Sequence, residues 1–369
     1  MLPFGRMLEY GNKKEVLSIK KVQVGGTSLA ILTSTGKLYM RGTNNSGQFG
    51  IGVPGDATIR DWTLCLEDVD NFWTDTAMSI VRKTDGTLWC SGSLRFQNSN
   101  GSNTLWTPIP SAWLLNTGGK TGLDIKDIRF TFYDSLVLFN DGTLYGSGFN
   151  VSTAIPGGGG SRLGKITSNG VNTFSTIACG QTFTMALGTD GYWYRAGSNS
   201  NGQFGTGNTS NLSVFTMYSG LGTLTDCTGG YNTSHVTNSS SIWGCGEQTG
   251  NSAMTGVTSG NQLALKNVVM FGAGNTEYGS FKFFPVSVGR TYTFQTFFNT
   301  SVGIFSANTS GFYQVTNMSI DDKDLICVGG KNNIAFVYDG VLYGAGDNKI
   351  MNGGTSGNYL APVPIPLPN

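Results

Sequence analysis

The sequence predicts an all-β protein, a seven-bladed β-propeller with about 50 residues per blade. Three observations lead there. A glycine-turn motif returns at a nearly constant interval. Each copy carries two short apolar runs of strand length around its turn. The composition is that of strands and turns: Gly is 55 of 369 residues, and charged residues are only 12%.

The motif is a turn glycine followed six residues later by a second glycine. It reads "TGKLYMRG" (Gly36, Gly42), "DGTLWCSG" (Gly86, Gly92), "DGTLYGSG" (Gly142, Gly148), "DGYWYRAG" (Gly191, Gly197) and "DGVLYGAG" (Gly340, Gly346). In "SSIWGCG", Ser240 replaces the first glycine and Gly246 keeps the second. The interval from 240 to 340 is double the others, so a seventh copy belongs between them. "GSFKFFPVSVGRTYTFQ" supplies it, with Gly289 at the turn and Gln295 in place of the second glycine. The turns at 36, 86, 142, 191, 240, 289 and 340 are then separated by 50, 56, 49, 49, 49 and 51 residues.

Each element follows from this grammar. A lead-in run ends in small residues ("VQVGG", "TIACG", "DCTGG", "ICVGG") and opens a strand such as "SLAIL", "DSLVLF" or "FTMAL". The Asp-Gly pair reads as a two-residue hairpin turn whose glycine supplies positive φ. An alternating strand follows, with an aromatic place held by Tyr39, Trp89, Tyr145, Tyr194 and Tyr343. A Gly/Asn/Ser loop leads to the next copy. One such sheet cannot cover both its faces, but blades around an axis cover one another, and recurrent glycines allow close approach there. The chain from 1 to 369 is read as one propeller domain. In the tail "NYLAPVPIPLPN", alternating prolines permit only an edge strand or an extended segment. The N-terminal "EVLSIKKVQVGG" is expected to share a blade with this tail and so close the ring.

"GQFG" occurs twice, at Gly47–Gly50 and Gly202–Gly205, each time 11 residues after its turn glycine. It has no charged or nucleophilic member, and five copies do without it. It reads as structural: glycines for tight turns, Gln for a hydrogen bond to neighbouring loop backbone, Phe for packing between blades.

"VQVGGTSLAILTSTGKLYMRGTNNSGQFGIG" and "IACGQTFTMALGTDGYWYRAGSNSNGQFGTG" resemble the repeats of the regulator of chromosome condensation family. The resemblance covers about residues 15 to 369, strongest in the first and fourth copies and faintest in the sixth. It implies a seven-bladed propeller. It also implies, for the family's best-known member, nucleotide exchange on a small GTPase and contact with chromatin. This chain departs from the family where a His often stands eight residues before the turn glycine. Here those places hold Ser28, Met78, Asp134, Phe183, Asn232, Phe281 and Asn332. With a net charge of +1 there is no basic tail or charged face to carry nucleic-acid or chromatin contact.

The catalytic classes find little support. The single histidine, His235 in "YNTSHVTNS", would have to serve any Ser-His-Asp arrangement, and reads as a strand residue. The acidic clusters Glu67–Asp70 and Asp321–Asp324 each precede a lead-in strand and lack the alternation of a calcium loop. "IPGGGGSRLG" (Ile155–Gly164) lacks the Lys-Ser/Thr of a phosphate loop and is expected to be a flexible surface loop. Cys65, Cys90, Cys179, Cys227, Cys245 and Cys327 form no CxxC pair; most are expected as buried thiols, and a disulfide between neighbouring copies stays open. No cofactor or metal is expected. No apolar run reaches membrane-spanning length, and the start does not read as a secretion signal.

Binding is therefore the expected class. The longest insertion, in the second copy, sets Arg95, Phe96, Trp106 and Trp113 among Asn, Ser and Gly. Two readings stand: contact with a protein or carbohydrate partner, or packing of both tryptophans under the loop. Low charge, abundant Gly/Asn/Ser/Thr and an all-β repeat match the texture of bacteriophage structural proteins. The leading functional expectation is a non-enzymatic virion component, a phage tail protein serving assembly or host attachment. Its partners would be other tail proteins and a host surface protein or glycan. It would be an oligomer through virion symmetry, with no nucleic acid bound and no membrane insertion. The alternative is a cytoplasmic propeller scaffold or guanine-nucleotide exchange factor-like protein.

Overall fold

Among the described residues, seven antiparallel sheets succeed one another along the chain. The computed structural model describes residues 17–25, 28–53, 58–149, 154–229, 232–237, 242–247, 261–268, 286–288, 291–296, 313–316, 326–329, 333–338, 340–347 and 358–368. Blade 1 holds β1 (Ile19–Gly25), β2 (Ser28–Thr33), β3 (Leu38–Thr43) and β4 (Thr58–Leu66). Blade 2 holds β5 (Val69–Thr74), β6 (Met78–Lys83), β7 (Leu88–Ser93) and β8 (Ser102–Pro108). Blade 3 holds β9 (Ile125–Phe130), β10 (Asp134–Phe139), β11 (Leu144–Gly148) and the two-residue β12 (Gly164–Lys165). Blade 4 holds β13 (Phe174–Cys179), β14 (Phe183–Gly188), β15 (Trp193–Gly197) and β16 (Leu212–Tyr218). Blade 5 holds β17 (Asp226–Gly229), β18 (Thr233–Thr237), β19 (Ile242–Glu247) and β20 (Asn261–Val268). Blade 6 shows three strands, β21 (Val286–Val288), β22 (Thr291–Thr296) and β23 (Tyr313–Thr316). Blade 7 holds β24 (Ile326–Gly329), β25 (Asn333–Tyr338), β26 (Val341–Asp347) and β27 (Asn358–Pro364). This is the predicted all-β propeller.

The second strands explain the continuous apolar runs. β2, β10 and β14 are buried at every residue, because each faces a neighbouring blade on both sides. The outermost strands β4 and β8 are exposed or half-buried throughout, so they tolerate polar residues. β27 is the outermost strand of its sheet, as its prolines require.

The hairpin turn is longer than the two-residue type that the Asp-Gly pair suggests. In blade 1 the Gly36 N–H donates to Thr33 O at 3.1 Å, and the Thr33 N–H donates to Lys37 O at 3.0 Å. The same pair of bonds recurs from Gly86 and Lys83, Gly142 and Phe139, and Gly191 and Gly188. This is a four-residue turn closed by a left-handed glycine, with φ near +80° at Gly36, Gly86, Gly142 and Gly191. The Asp has its own task. Asp85 Oδ1 accepts from the N–H and hydroxyl of Thr87 at 2.8 and 2.7 Å, and Asp141 Oδ1 does the same for Thr143 at 3.0 and 2.6 Å.

The second glycine marks a bulge. The pairing of third and fourth strands shifts register at Gly42, Gly92, Gly197, Gly246 and Gly346. In blade 6 a shift falls at Gln295, the predicted stand-in, although Gly289 lies outside the described residues. The geometry at Gly92 shows why a side chain is excluded: φ is +83°, and a Cβ would stand 2.2 Å from Ala77 O.

The expected closure by a shared blade is corrected. β1 pairs with β2 and β27 with β26, each within its own sheet, because consecutive strands already fill the four places of each blade. The first and last blades meet through side chains instead. Val22, Val24, Leu29 and Ile31 pack with Ala335, Val337, Leu342 and Ile365 in one buried cluster. The Trp62 indole N–H donates to Pro366 O at 2.7 Å.

Candidate functional site

The blades present two faces. On one, the hairpin turns meet the connectors between blades, as where Val69 N–H donates to Gly36 O and Phe174 N–H to Gly142 O. On the other, the first turn of each blade meets its long loop, as where Ser93 N–H donates to Ala77 O and Ser198 N–H to Thr182 O. Residues 94–101 of the long insertion and both GQFG stretches lie on this loop face, while β8 returns the chain so that residues 111–117 belong to the connector on the opposite one.

GQFG is the joint its residues suggested. Gln48 Oε1 accepts from Ser46 N–H at 3.0 Å, while Nε2 donates to Thr43 O and, across the blade boundary, to Thr76 O. Phe49 and Phe204 are fully buried, each with its N–H donating to an asparagine side chain, Asn44 and Asn199. A hydroxyl of the next blade then fastens the loop. Ser91 Oγ donates to Gln48 O, Ser147 Oγ to Phe96 O, and Thr184 Oγ1 to Ala154 O, at 2.8, 2.8 and 3.0 Å. Ser234 Oγ donates likewise to Gln203 O. Four successive junctions thus use one device, which nothing in the sequence marks.

The insertion residues divide. Phe96 is fully buried and Trp113 is 1% exposed, stacked edge to face at 5.6 Å. The Trp113 indole N–H donates to Ser147 Oγ at 2.8 Å, in the next blade. Their reading as contact residues is therefore corrected to packing between blades 2 and 3. Trp106 is half-buried against Gly50, and its indole N–H donates to Cys65 O at 3.0 Å. Arg95 is half-buried too, with its guanidinium 5.0 Å from the Phe132 ring and 4.9 Å from the Tyr133 ring. Phe132 and Tyr133 meet edge to face at 4.5 Å, and Tyr133 leads to Phe149, whose exposure of 48% is high for a phenylalanine. Arg95, Phe132, Tyr133 and Phe149 form one patch drawn from blades 2 and 3. Among the described residues, the charged side chains that reach solvent from the loops of this face are Arg95 and Arg162, both basic.

The remaining sequence candidates fall elsewhere. His235 lies in β18, opposite Thr228 and Gly244. Asp70 is engaged by Arg82 at 2.6 Å and Lys20 at 3.0 Å, and Asp321–Asp324 lie outside the described residues. The glycine-rich stretch after 154 is not a free loop. Ile155 and Leu163 are fully buried, and Gly148 N–H donates to Gly159 O and Gly160 O, so the stretch seals blade 3 where β12 is too short to do so. Cys65, Cys90, Cys179, Cys227 and Cys245 are free thiols. Along the inner strands, Lys21 Nζ donates to Asn71 Oδ1 at 2.9 Å and to Phe72 O, and the Trp73 indole to Asp127 Oδ1 at 3.1 Å. Burial pulls the Lys21 ammonium down to about 7, against the opposing pull of Asp127. Among the described residues no group of three or more His, Cys, Asp or Glu is placed to hold a metal, and no helix is long and apolar enough to cross a membrane.

No family model matches the sequence. The structure is similar to that of human WBSCR16, at 13% identity and a TM-score of 0.57, covering 95% of this chain and 82% of that one. It is similar to Prp20p from Saccharomyces cerevisiae, at 12% identity and 0.56, covering 95% and 77%. A chain of the crystal structure of Kap60 bound to yeast RCC1 (Prp20) matches at 12% and 0.55, covering 95% and 75%. At such identities the likeness is one of fold, and the chain has the propeller fold of these regulator-type proteins.

Proposed function

We propose that this protein is a non-enzymatic protein-binding propeller, a scaffold whose loop face carries the contact. The observation that supports this reading is the Arg95–Phe132–Tyr133–Phe149 patch. Half-buried aromatics held by an arginine, with the exposed ring of Phe149 beside them, are residue types that anchor protein interfaces. Prp20p, which shares the fold, is described with binding properties to Gsp1p and histones, so the fold is compatible with protein partners. Here the basic, aromatic patch suits an acidic partner surface. The test is site-specific photocrosslinking in the source cell, with the probe at Phe149 and, as control, at Leu115 on the opposite face. Adducts at Phe149 that vanish in Arg95→Glu are expected. Equal adducts at both positions would sink the reading. An exchange-factor role additionally predicts faster nucleotide release from a small GTPase.

A second reading, a phage tail component in the virion, draws on composition: 12% charged residues and 55 glycines. Partners would then be tail proteins and a host surface protein or glycan. Its test is co-sedimentation with purified virions, and absence from the particle would dispose of it.

A further inference from the structure

Arg195 lies on β15 at the junction of blades 4 and 5 and is 3% exposed. Its guanidinium stands 4.6 Å from the Trp193 ring, 4.3 Å from Tyr218 and 6.0 Å from Phe204. Its Nε and Nη1 are buried without a hydrogen-bond acceptor among the described residues, and so is the Trp193 indole Nε1. Among the described residues, Arg82 pairs with Asp70 and Arg129 with Asp127; Arg41, stacked on Trp62, shares the orphaned Nε but has the carboxylate of Asp61 in its neighbourhood. Around Arg195 the ionisable neighbours are Cys245 and Tyr218, and burial pushes the Cys245 thiol up to about 12, so it stays neutral.

A buried cation among rings, with no carboxylate beside it among the described residues, is costly unless an anion meets it. We propose that Arg195 and Trp193 form a binding site for an oxyanion, a carboxylate or a phosphate group, at the junction of blades 4 and 5. The Trp193 and Tyr218 rings, set at 79° to each other, crowd the guanidinium, and its unpaired N–H groups lie in its plane, where such an anion binds. The site is one strand in from the outer rim: Arg195 pairs with Thr216 of β16, whose neighbours Val214 and Met217 are exposed. Burial drags the Arg195 guanidinium down to about 10, which an anion would reverse.

The experiment is calorimetric titration and thermal unfolding of the full chain in chloride, with inorganic phosphate or acetate added at constant ionic strength. Saturable binding with a rise in Tm is expected. Response to phosphate alone identifies a phosphate group, and response to acetate alone a carboxylate such as a partner's acidic side chain. Arg195→Met is expected to lower affinity about a hundredfold or more, and Arg195→Lys, which keeps the charge but loses the planar fork, about tenfold. Absence of saturable binding to either anion would overturn the proposal. So would equal binding by Arg195→Met or, should that variant not fold, by Arg195→Lys.

Discussion

The side-chain amide of Gln48, in blade 1, donates to the carbonyl oxygen of Thr76 in blade 2 at 2.9 Å. The same nitrogen holds Thr43 O of its own loop at 2.9 Å. Gln48 is 1% exposed, so no water replaces it when it is lost. Gln48→Leu keeps the bulk and strands both carbonyls. The expected cost is about 2–4 kcal/mol, at roughly 1–3 per unsatisfied buried group. A urea unfolding midpoint indistinguishable from wild type would contradict this role.

Gly50 and Trp106 exclude each other's growth. A Cβ on Gly50 would stand 2.4 Å from the Trp106 indole nitrogen, and φ there is +67°. Gly50→Ala therefore forces the indole off Cys65 O and strains the backbone, at a cost of about 2–4 kcal/mol. Trp106→Ala should relieve the clash but not the φ strain. In a double-mutant cycle the second substitution is expected to cost markedly less in the Gly50→Ala background than alone. Additive effects would show that the two residues do not meet.

Legibility followed locality. The turn glycines, their Asp partners and the bulge glycines could be read from the chain because each acts within a few residues of itself. GQFG was legible because two blades repeat it. The fastening hydroxyls were not, since Ser91 or Ser147 in a strand resembles any other serine until the preceding blade's loop lies against it. The sequence leaves contact and packing both open for Trp113 for the same reason, as the Ser147 that receives the indole is 34 residues away. Phe132 and Tyr133 were passed over because Arg95, which stacks on them, belongs to another blade.

The thiols should be silent in the native state. Burial pushes Cys90, Cys227 and Cys245 up to about 12, and Cys179 well above its ordinary value. At about pH 8 almost none of each is thiolate, and none is accessible. Iodoacetamide followed by peptide mass mapping is expected to leave these four unlabelled until denaturant is added. Labelling of any one at the rate of free cysteine would contradict its placement.

Acid should weaken the hairpins. Partial desolvation pushes the Asp141 carboxyl up, but hydrogen bonds from Lys120 and Thr143 outweigh it and hold it at about 2. A carboxyl depressed below its unfolded value near 3.9 stabilises the fold above that pH, and the contribution fades as pH falls towards about 2. The side chain is 48% exposed, so screening limits the effect to under about 1 kcal/mol. Asp141→Asn is expected to be less stable than wild type near neutral pH and equal to it near pH 2. A difference unchanged across that window would count against the pairing.

Lys21 carries a signature of the same sign at alkaline pH, for the opposite reason: here burial disfavours the charged form. Its ammonium is held at about 7 in the fold, chiefly by burial, against 10.5 when unconstrained. Between those values the unfolded chain binds the proton that the folded chain has given up, so stability must rise with pH across that window. Below about 7 both states are protonated and the full penalty of the buried charge stands. Lys21→Met removes this titration. It also removes the donor to Phe72 O and one of the two donors to Asn71 Oδ1, which keeps the Phe72 N–H, but that cost does not vary with pH in this range. The informative quantity is therefore the slope, not the absolute stability. Subtracting the variant's unfolding free energy from that of wild type cancels the remaining lysines and tyrosines. The difference is expected to favour wild type increasingly from about pH 7 to about pH 10, and a flat difference would place the ammonium in water rather than between the inner strands.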